Sequence, residues 1–438
     1  MQTVPLSEEP EARYPGLRGA WWMLILLFFA ANIYSIDRGI VGVMAEPIRK
    51  SLAISDVQMG LLLGLAYVLF SSVLGLVLGN FADRYSRRKI LAYSIILWSL
   101  STMACGLAPN FQGFFLFRAL VGLGEAGLAP AAVSIIADIF PGKQRGRALA
   151  GYFLGATLGT AMASVLPGLV LKSNLHLVVP FIGPVDPWRS AFLLCGVVGP
   201  VIGLLFLTTR EPERRGASWA KGKQPPVGEK VAYLWRHRAY IAPLFSGFSL
   251  FYLVYAGIYA WTVVFLTRAY HSGLPAFSGR LGLMAIVAGT AGYVLGGLLA
   301  DSKLGRRRGG KLDCLIVLPL LALPSTLACL APGVNSALVA LGFMSLATPM
   351  LNVAMNATIQ EVLPNEMRGF SFAVLSLCAA ITAGAGGPLI FALVTQHVLH
   401  DPTKIGTSFL IVGVPVVVIA SACFLLARQA YRRSPLLP

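Results

Sequence analysis

Charge is scarce in this chain. Only 12% of its 438 residues are Asp, Glu, Lys or Arg, about half the share of a soluble domain, while 56% are hydrophobic. That shortage excludes an ordinary water-soluble domain and points to an integral membrane protein. Acidic residues are the scarcer kind, 18 against 35 Lys plus Arg, which leaves a net charge of +17. The basic residues sit in short loops between apolar runs, so topology and anionic headgroups explain them and no nucleic-acid partner is expected. The six cysteines (105, 195, 314, 329, 378 and 423) lie within or beside apolar runs and lack metal-type spacing. They read as small core residues, and no metal site is expected. A GxxxxGK[ST] phosphate loop is missing, which excludes an ATP motor within the chain; neither a cofactor nor an enzymatic activity is expected. A cleavable leader is not expected either. Glu8, Glu9 and Glu11 precede the first long apolar run, which reads as a span that stays in place.

What the chain has is apolar runs of membrane-crossing length, about 20 residues each. Twelve are expected, at roughly 20–45, 57–82, 88–108, 111–138, 147–171, 188–208, 238–268, 278–301, 312–331, 334–362, 368–396 and 405–428. The long polar stretch 209–237 divides the chain into a first half, 1–208, and a second, 238–438. Of the 35 Lys and Arg, 26 fall in the termini, the central stretch and the loops after even-numbered spans, and only 7 in the opposite loops. Both termini and the central loop are therefore expected on the cytoplasmic side. Arg38 and Arg118 are the two that fall inside spans.

The halves repeat. GNFADRYSRRK (79–89) after span 2 has a counterpart in GGLLADSKLGRRRGGK (296–311) after span 8, and DIFPGKQRGRA (138–148) in EVLPNEMRGFS (361–371). Asp138 matches Glu361 and Arg145 matches Arg368, both at an offset of 223. Two halves running in the same sense are a parallel repeat.

The stretch 79–89 resembles the signature loop of the major facilitator superfamily. Two segments, IDRGIVGVMAEPIRKSLAISDVQMGLL in span 1 and RALVGLGEAGLAPAAVSIIADIFP in span 4, resemble its spinster-like branch. The resemblance implies an all-α integral membrane fold of twelve helices in two six-helix bundles, working by alternating access. It implies lipid-like cargo of the lysophospholipid or sphingosine-1-phosphate type. The short termini suit a bacterial inner-membrane protein, and a monomer is expected.

In the signature loop, Gly79 and Asp83 close span 2, with Arg84, Arg87 and Arg88 in the turn. A carboxylate among arginines is a breakable set of contacts that a rocking transporter can use as a cytoplasmic gate. The resemblance implies that Asp83 engages the start of span 11 and stabilises the outward-open state; the plainer alternative is a loop that sets topology. Asp138, Arg145, Asp301, Glu361 and Arg368 at the other turns read either as further gate residues or as helix ends with snorkelling charges.

Four charges fall at hydrocarbon depth: Asp37, Arg38, Arg118 and Glu125. Counting about 1.5 Å per residue, Asp37 on the outgoing span 1 and Arg118 on the returning span 4 share a depth. Glu125 follows Arg118 by two turns on one face, roughly 10 Å along. Two acids and two bases sum to zero and can be buried if they pair. Asp37 and Arg38 point about 100° apart, so one is expected to face a cavity and the other a neighbouring helix. Intramembrane charges are functional by default, here as an anion receptor and a proton-coupling carboxylate; the alternative is a permanent ion-pair staple.

The second half lacks such charges. Span 7 instead spaces Phe248, Phe251, Tyr252, Tyr255 and Tyr259 by three and four residues, a stripe that serves packing or lines a cavity. Tyr34 of span 1 is a further candidate for the cavity wall, and Asn352 and Asn356 share a face of span 10 as either cavity groups or helix–helix hydrogen-bonders. A cavity charged on one side and aromatic on the other suits an amphiphile with an anionic or zwitterionic head. Protons are a candidate coupling ion and membrane lipids are natural partners. The alternatives are a proton-coupled carrier of organic anions or drugs, and a lipid-binding sensor that transports nothing. Glycines complete the pattern: Gly151, Gly155 and Gly159 allow close helix approach, while GEAGLAP (124–130) and AGAGGP (383–388) are expected to interrupt spans 4 and 11.

Overall fold

The computed structural model describes residues 17–68, 70–71, 86–212, 226–305, 307 and 309–433. Ten helices among these are long and apolar enough to cross a membrane. They are Leu17–Val43, Arg87–Leu107, Gly142–Lys172, Pro187–Thr208, Arg238–Ala269, Leu274–Asp301, Val334–Val362 and Ile405–Arg433, together with the composite helices over 310–330 and 365–398. The remaining two of the twelve spans are Asp56–Leu63, whose continuation lies partly outside the described residues, and span 4, built as Phe111–Glu125 followed by Leu128–Ile139. In hydrocarbon every backbone amide must be satisfied within the segment, so these apolar runs wind into helices.

Polar caps mark the ends. Ser86 accepts from the Lys89 amide, Asn110 from that of Gly113, and Ser55 forms a reciprocal capping box with Gln58. Span 4 breaks at Ala126–Gly127, inside GEAGLAP. Span 11 does not break at AGAGGP. It widens instead into a π-helical turn at Ala380–Ala385 and continues as Gly386–Leu393, a local rewinding that keeps the amides bonded.

Within the first bundle, spans 1 and 5 touch backbone to backbone. A Cβ at Gly155 would stand 2.3 Å from the Phe28 carbonyl oxygen, and one at Gly159 2.2 Å from that of Asn32. The two turns that end spans 4 and 10 repeat atom for atom. Arg145 Nε donates to the Phe140 carbonyl at 3.0 Å, and Arg368 Nε to that of Leu363 at 3.1 Å. Arg87 pairs with Asp138 in the first half, and Lys311 with Glu361 at 2.9 Å in the second. The parallel repeat is therefore carried by matching side-chain bonds as well as by helix order.

Candidate transport site

A cavity of about 810 Å³ lies between the bundles, lined by spans 1, 2, 4 and 5 on one side and 7, 8, 10 and 11 on the other. Span 1 sends Tyr34 and Arg38 into it. The Arg38 guanidinium donates to the Tyr34 hydroxyl at 3.0 Å and lies 5.5 Å from the Tyr34 ring centre and 5.2 Å from that of Tyr67. Arg38 is open to the cavity, and its neighbours are phenols. Tyr67 also takes the Arg118 guanidinium, at 5.5 Å from its ring centre, so one ring serves two cations.

Asp37, one residue earlier and fully buried, turns away from the cavity toward Trp98 and Thr102 on span 3. Arg118, 3% exposed, donates to the Asp37 backbone carbonyl at 3.3 Å, so spans 1 and 4 do meet at the expected depth. Glu125 lines the cavity wall, itself 3% exposed. The expected pairing is corrected, however. None of the four charges forms a direct ion pair with another; Thr102 and Trp98 face the Asp37 carboxylate, and Tyr67 faces that of Glu125. The phenol rings and a backbone carbonyl occupy the faces of the guanidinium groups that the acids were expected to take.

The opposite wall is aromatic. Phe248 stacks on Tyr252 at 4.5 Å between ring centres, Tyr252 meets Tyr255 at 5.7 Å, and Tyr255 stacks on Tyr259 at 5.8 Å. Asn352 donates to the Tyr252 hydroxyl. These five residues line the cavity. Two expected members do not. Phe251 is buried in the core of the second bundle, and Asn356 donates at 2.9 Å to the Asn352 carbonyl, away from the cavity.

Beyond the cavity, on the face away from the basic loops, the halves are latched together, a feature the sequence reading missed. Arg268 at the end of span 7 grips Asp56 with both Nη atoms at 2.8 Å, and Glu46 through Nε at 3.1 Å and Nη2 at 2.8 Å. It also donates to the Pro402 carbonyl at 2.9 Å. Arg49 backs the same two acids, at 3.0 Å from Glu46 and 3.6 Å from Asp56. Burial pushes the Glu46 carboxyl up, but Arg49 and Arg268 outweigh it and hold the group below the usual carboxylate range. Spans 2 and 11 close tightly behind this latch. A Cβ at Gly64 would come within 2.4 Å of the Gly384 carbonyl oxygen, so only glycine fits there.

On the basic face, Gly79, Asp83 and Arg84 lie outside the described residues. Arg87 is buried; it bonds Asp138, the Ser134 hydroxyl at 2.7 Å and the Pro212 carbonyl at 3.2 Å. Arg88 donates to the carbonyls of Leu207 and Thr209. Glu211, another residue not singled out beforehand, accepts from the amides of Arg87 at 3.1 Å and Arg88 at 3.0 Å and tethers the start of the central loop to span 3. Asp301 stands exposed at the end of span 8. With the latch shut, the bonds of Arg145 and Glu361 stay within their own halves, and those of Arg87 and Arg88 reach no further than the start of the central loop.

The Major Facilitator Superfamily profile matches residues 27–386. The chain is 26% identical over 428 residues to an MFS-type efflux pump of Mycolicibacterium smegmatis, covering 95% of each protein. It is 26% identical over 401 residues to the Drosophila melanogaster protein spinster, covering 88% of this chain and 64% of that one. The fold superposes on a bacterial homologue of the human lysosomal transporter spinster, crystallised inward-facing and unoccupied. The TM-score is 0.78 at 24% identity, covering 96% of this chain and all of the other. The chain belongs to the major facilitator superfamily, is similar to spinster proteins within it, and is a transporter rather than an enzyme.

Proposed function

We propose that the protein carries an amphiphilic anion across the membrane by alternating access, seating the head on Arg38 and the apolar body along the Phe248–Tyr259 wall. The observation behind this reading is Arg38 itself. It is a guanidinium open to the cavity with no carboxylate at its side, so its charge is left for a ligand phosphate or carboxylate. A lysophospholipid or sphingosine-1-phosphate type of molecule combines such a head with a tail for the tyrosines. Glu125, buried in the cavity wall beside Tyr67 and in no ion pair, is the proposed proton carrier, and Asp37 its second site. Residues 1–208 and 238–438 act as the two rocking bodies joined by 209–237. The basic loops and both termini face the cytoplasm of a bacterial inner membrane, and the monomer is the working unit. The Arg268 latch then closes the outer face while the cavity serves the inner one.

A small organic anion is the second reading, favoured by the cavity volume, which falls within the range for small-molecule sites. The experiment is flux into proteoliposomes under an imposed pH gradient, with a fluorescent lysophospholipid in one arm and a small hydroxy acid in the other. Lysolipid flux driven by the gradient supports the proposal. Flux of the acid alone transfers it to the second reading. Binding without flux of either marks a sensor and ends both.

A further inference from the structure

We infer that the helix Val227–Arg236, at the end of the central loop, is an interfacial anchor that lies on anionic lipid headgroups at the basic face of the membrane. Val227, Val231 and Trp235 follow one another at four-residue steps and are 65%, 52% and 70% exposed. They form one apolar strip along the helix. Tyr233, on the far side of the helix, and Leu234, at the edge of the strip beside Val227, pack against the core of the second bundle, while Val231 and Trp235 stay turned outward. Loose attachment would let the strip hide; this attachment does not.

The covering surface is identified by where the helix stands and by the charges around it. A single residue, His237, separates it from the spanning helix that begins at Arg238, so the strip lies within about one or two helical turns of the hydrocarbon boundary. The Arg238 guanidinium sits 5.1 Å from the Trp235 ring centre, holding a cation beside the indole. The Tyr240 ring lies 5.9 Å from that of Tyr431, which brings Arg432 and Arg433, the end of span 12, to the same corner. Against Arg236, Arg238, Arg432 and Arg433 the helix carries one acid, Glu229. An apolar strip with a tryptophan, bordered by arginines at a membrane boundary, is the pattern of a helix lying in an anionic headgroup layer. The neutral strip and the cationic rim then bind the same surface.

The test uses the full chain with Cys378→Ser and Val231→Cys, the new thiol carrying a nitroxide, reconstituted in phosphatidylcholine vesicles with or without 30% phosphatidylglycerol. Collision rates with oxygen and with a water-soluble nickel complex report the surroundings of the label. In the anionic vesicles, oxygen should exceed nickel several-fold, and Arg236→Gln combined with Arg238→Gln should reduce that ratio at least threefold. Val227→Cys, read in the same way, guards against a local disturbance at position 231. Free access of nickel at both positions in both vesicles, equal to a loop control at Asn174, would overturn the inference. So would a label shielded from both reagents, which would mark a protein partner or a second copy.

Discussion

Replacing Arg268 with alanine should open the outer face. The arginine makes five hydrogen bonds that join span 7 to Glu46, Asp56 and Pro402. Its side chain is 8% exposed, and those of Asp56 and Glu46 are 5% and 11% exposed, so solvent screens the set only weakly. Breaking a buried pair from one side costs about 3–5 kcal/mol. Arg49 survives the substitution and still holds Glu46 at 3.0 Å, which places the effect at the lower end, about 3 kcal/mol. That is roughly a hundredfold shift toward an open outer face. The assay is labelling of Ala392→Cys, in the span 11 segment against which span 2 closes, by an impermeant maleimide added outside. Labelling should quicken by one to two orders of magnitude in the Arg268→Ala background. An unchanged rate would refute the latch. Acid should act in the same direction. The folded-state pKa of Glu46 lies below its free value, so its support for closure is complete above the usual carboxylate range. That support is lost as pH falls through the depressed value, and labelling should quicken only below about pH 4.5.

The other expectations are shorter. Gly159→Ala drives a Cβ to 2.2 Å from the Asn32 carbonyl oxygen and should cost about 1–3 kcal/mol, read as a lowered unfolding midpoint in detergent. Arg87→Gln removes the guanidinium that bonds Asp138, Ser134 and Pro212 and should destabilise the fold by about 3 kcal/mol; the Lys311→Gln change at the matched, more solvent-accessible pair should cost under about 1 kcal/mol. Glu125→Gln should leave the unfolding midpoint within a degree or two but abolish the pH dependence of flux, and retained dependence would remove Glu125 from the coupling step.

The spans were legible because hydrocarbon imposes one rule on every segment, and among the described residues the apolar runs coincide with the helices to within about five residues; most of the second half of span 2 lies outside them. The halves were legible because Asp138 and Glu361 occupy matched turns. The latch was not. Arg268 stands 222 residues from Glu46 and 212 from Asp56, and in the sequence Asp56 reads as an ordinary first-turn acid after the Ser55 cap. Only tertiary closure brings the three together. Phe251 misled for a geometric reason. At 100° per residue, Phe248, Tyr252, Tyr255 and Tyr259 fall within about 60° of arc, while Phe251 lies about 60° off Phe248, on the side away from Tyr252, and enters the core. The sequence puts Asp37 and Arg118 at one level, and the Arg118 guanidinium does meet the Asp37 carbonyl; it does not show that the Tyr67 ring receives both Arg38 and Arg118.

Binding to the arginine in the cavity tests the account most directly. A monoanionic lysophosphatidylglycerol titrated into the purified protein, followed by thermal shift, should stabilise the wild type. It should bind Arg38→Ala at least thirtyfold more weakly, with Arg38→Lys between the two. Equal affinity in all three proteins would place the anion elsewhere and contradict the account.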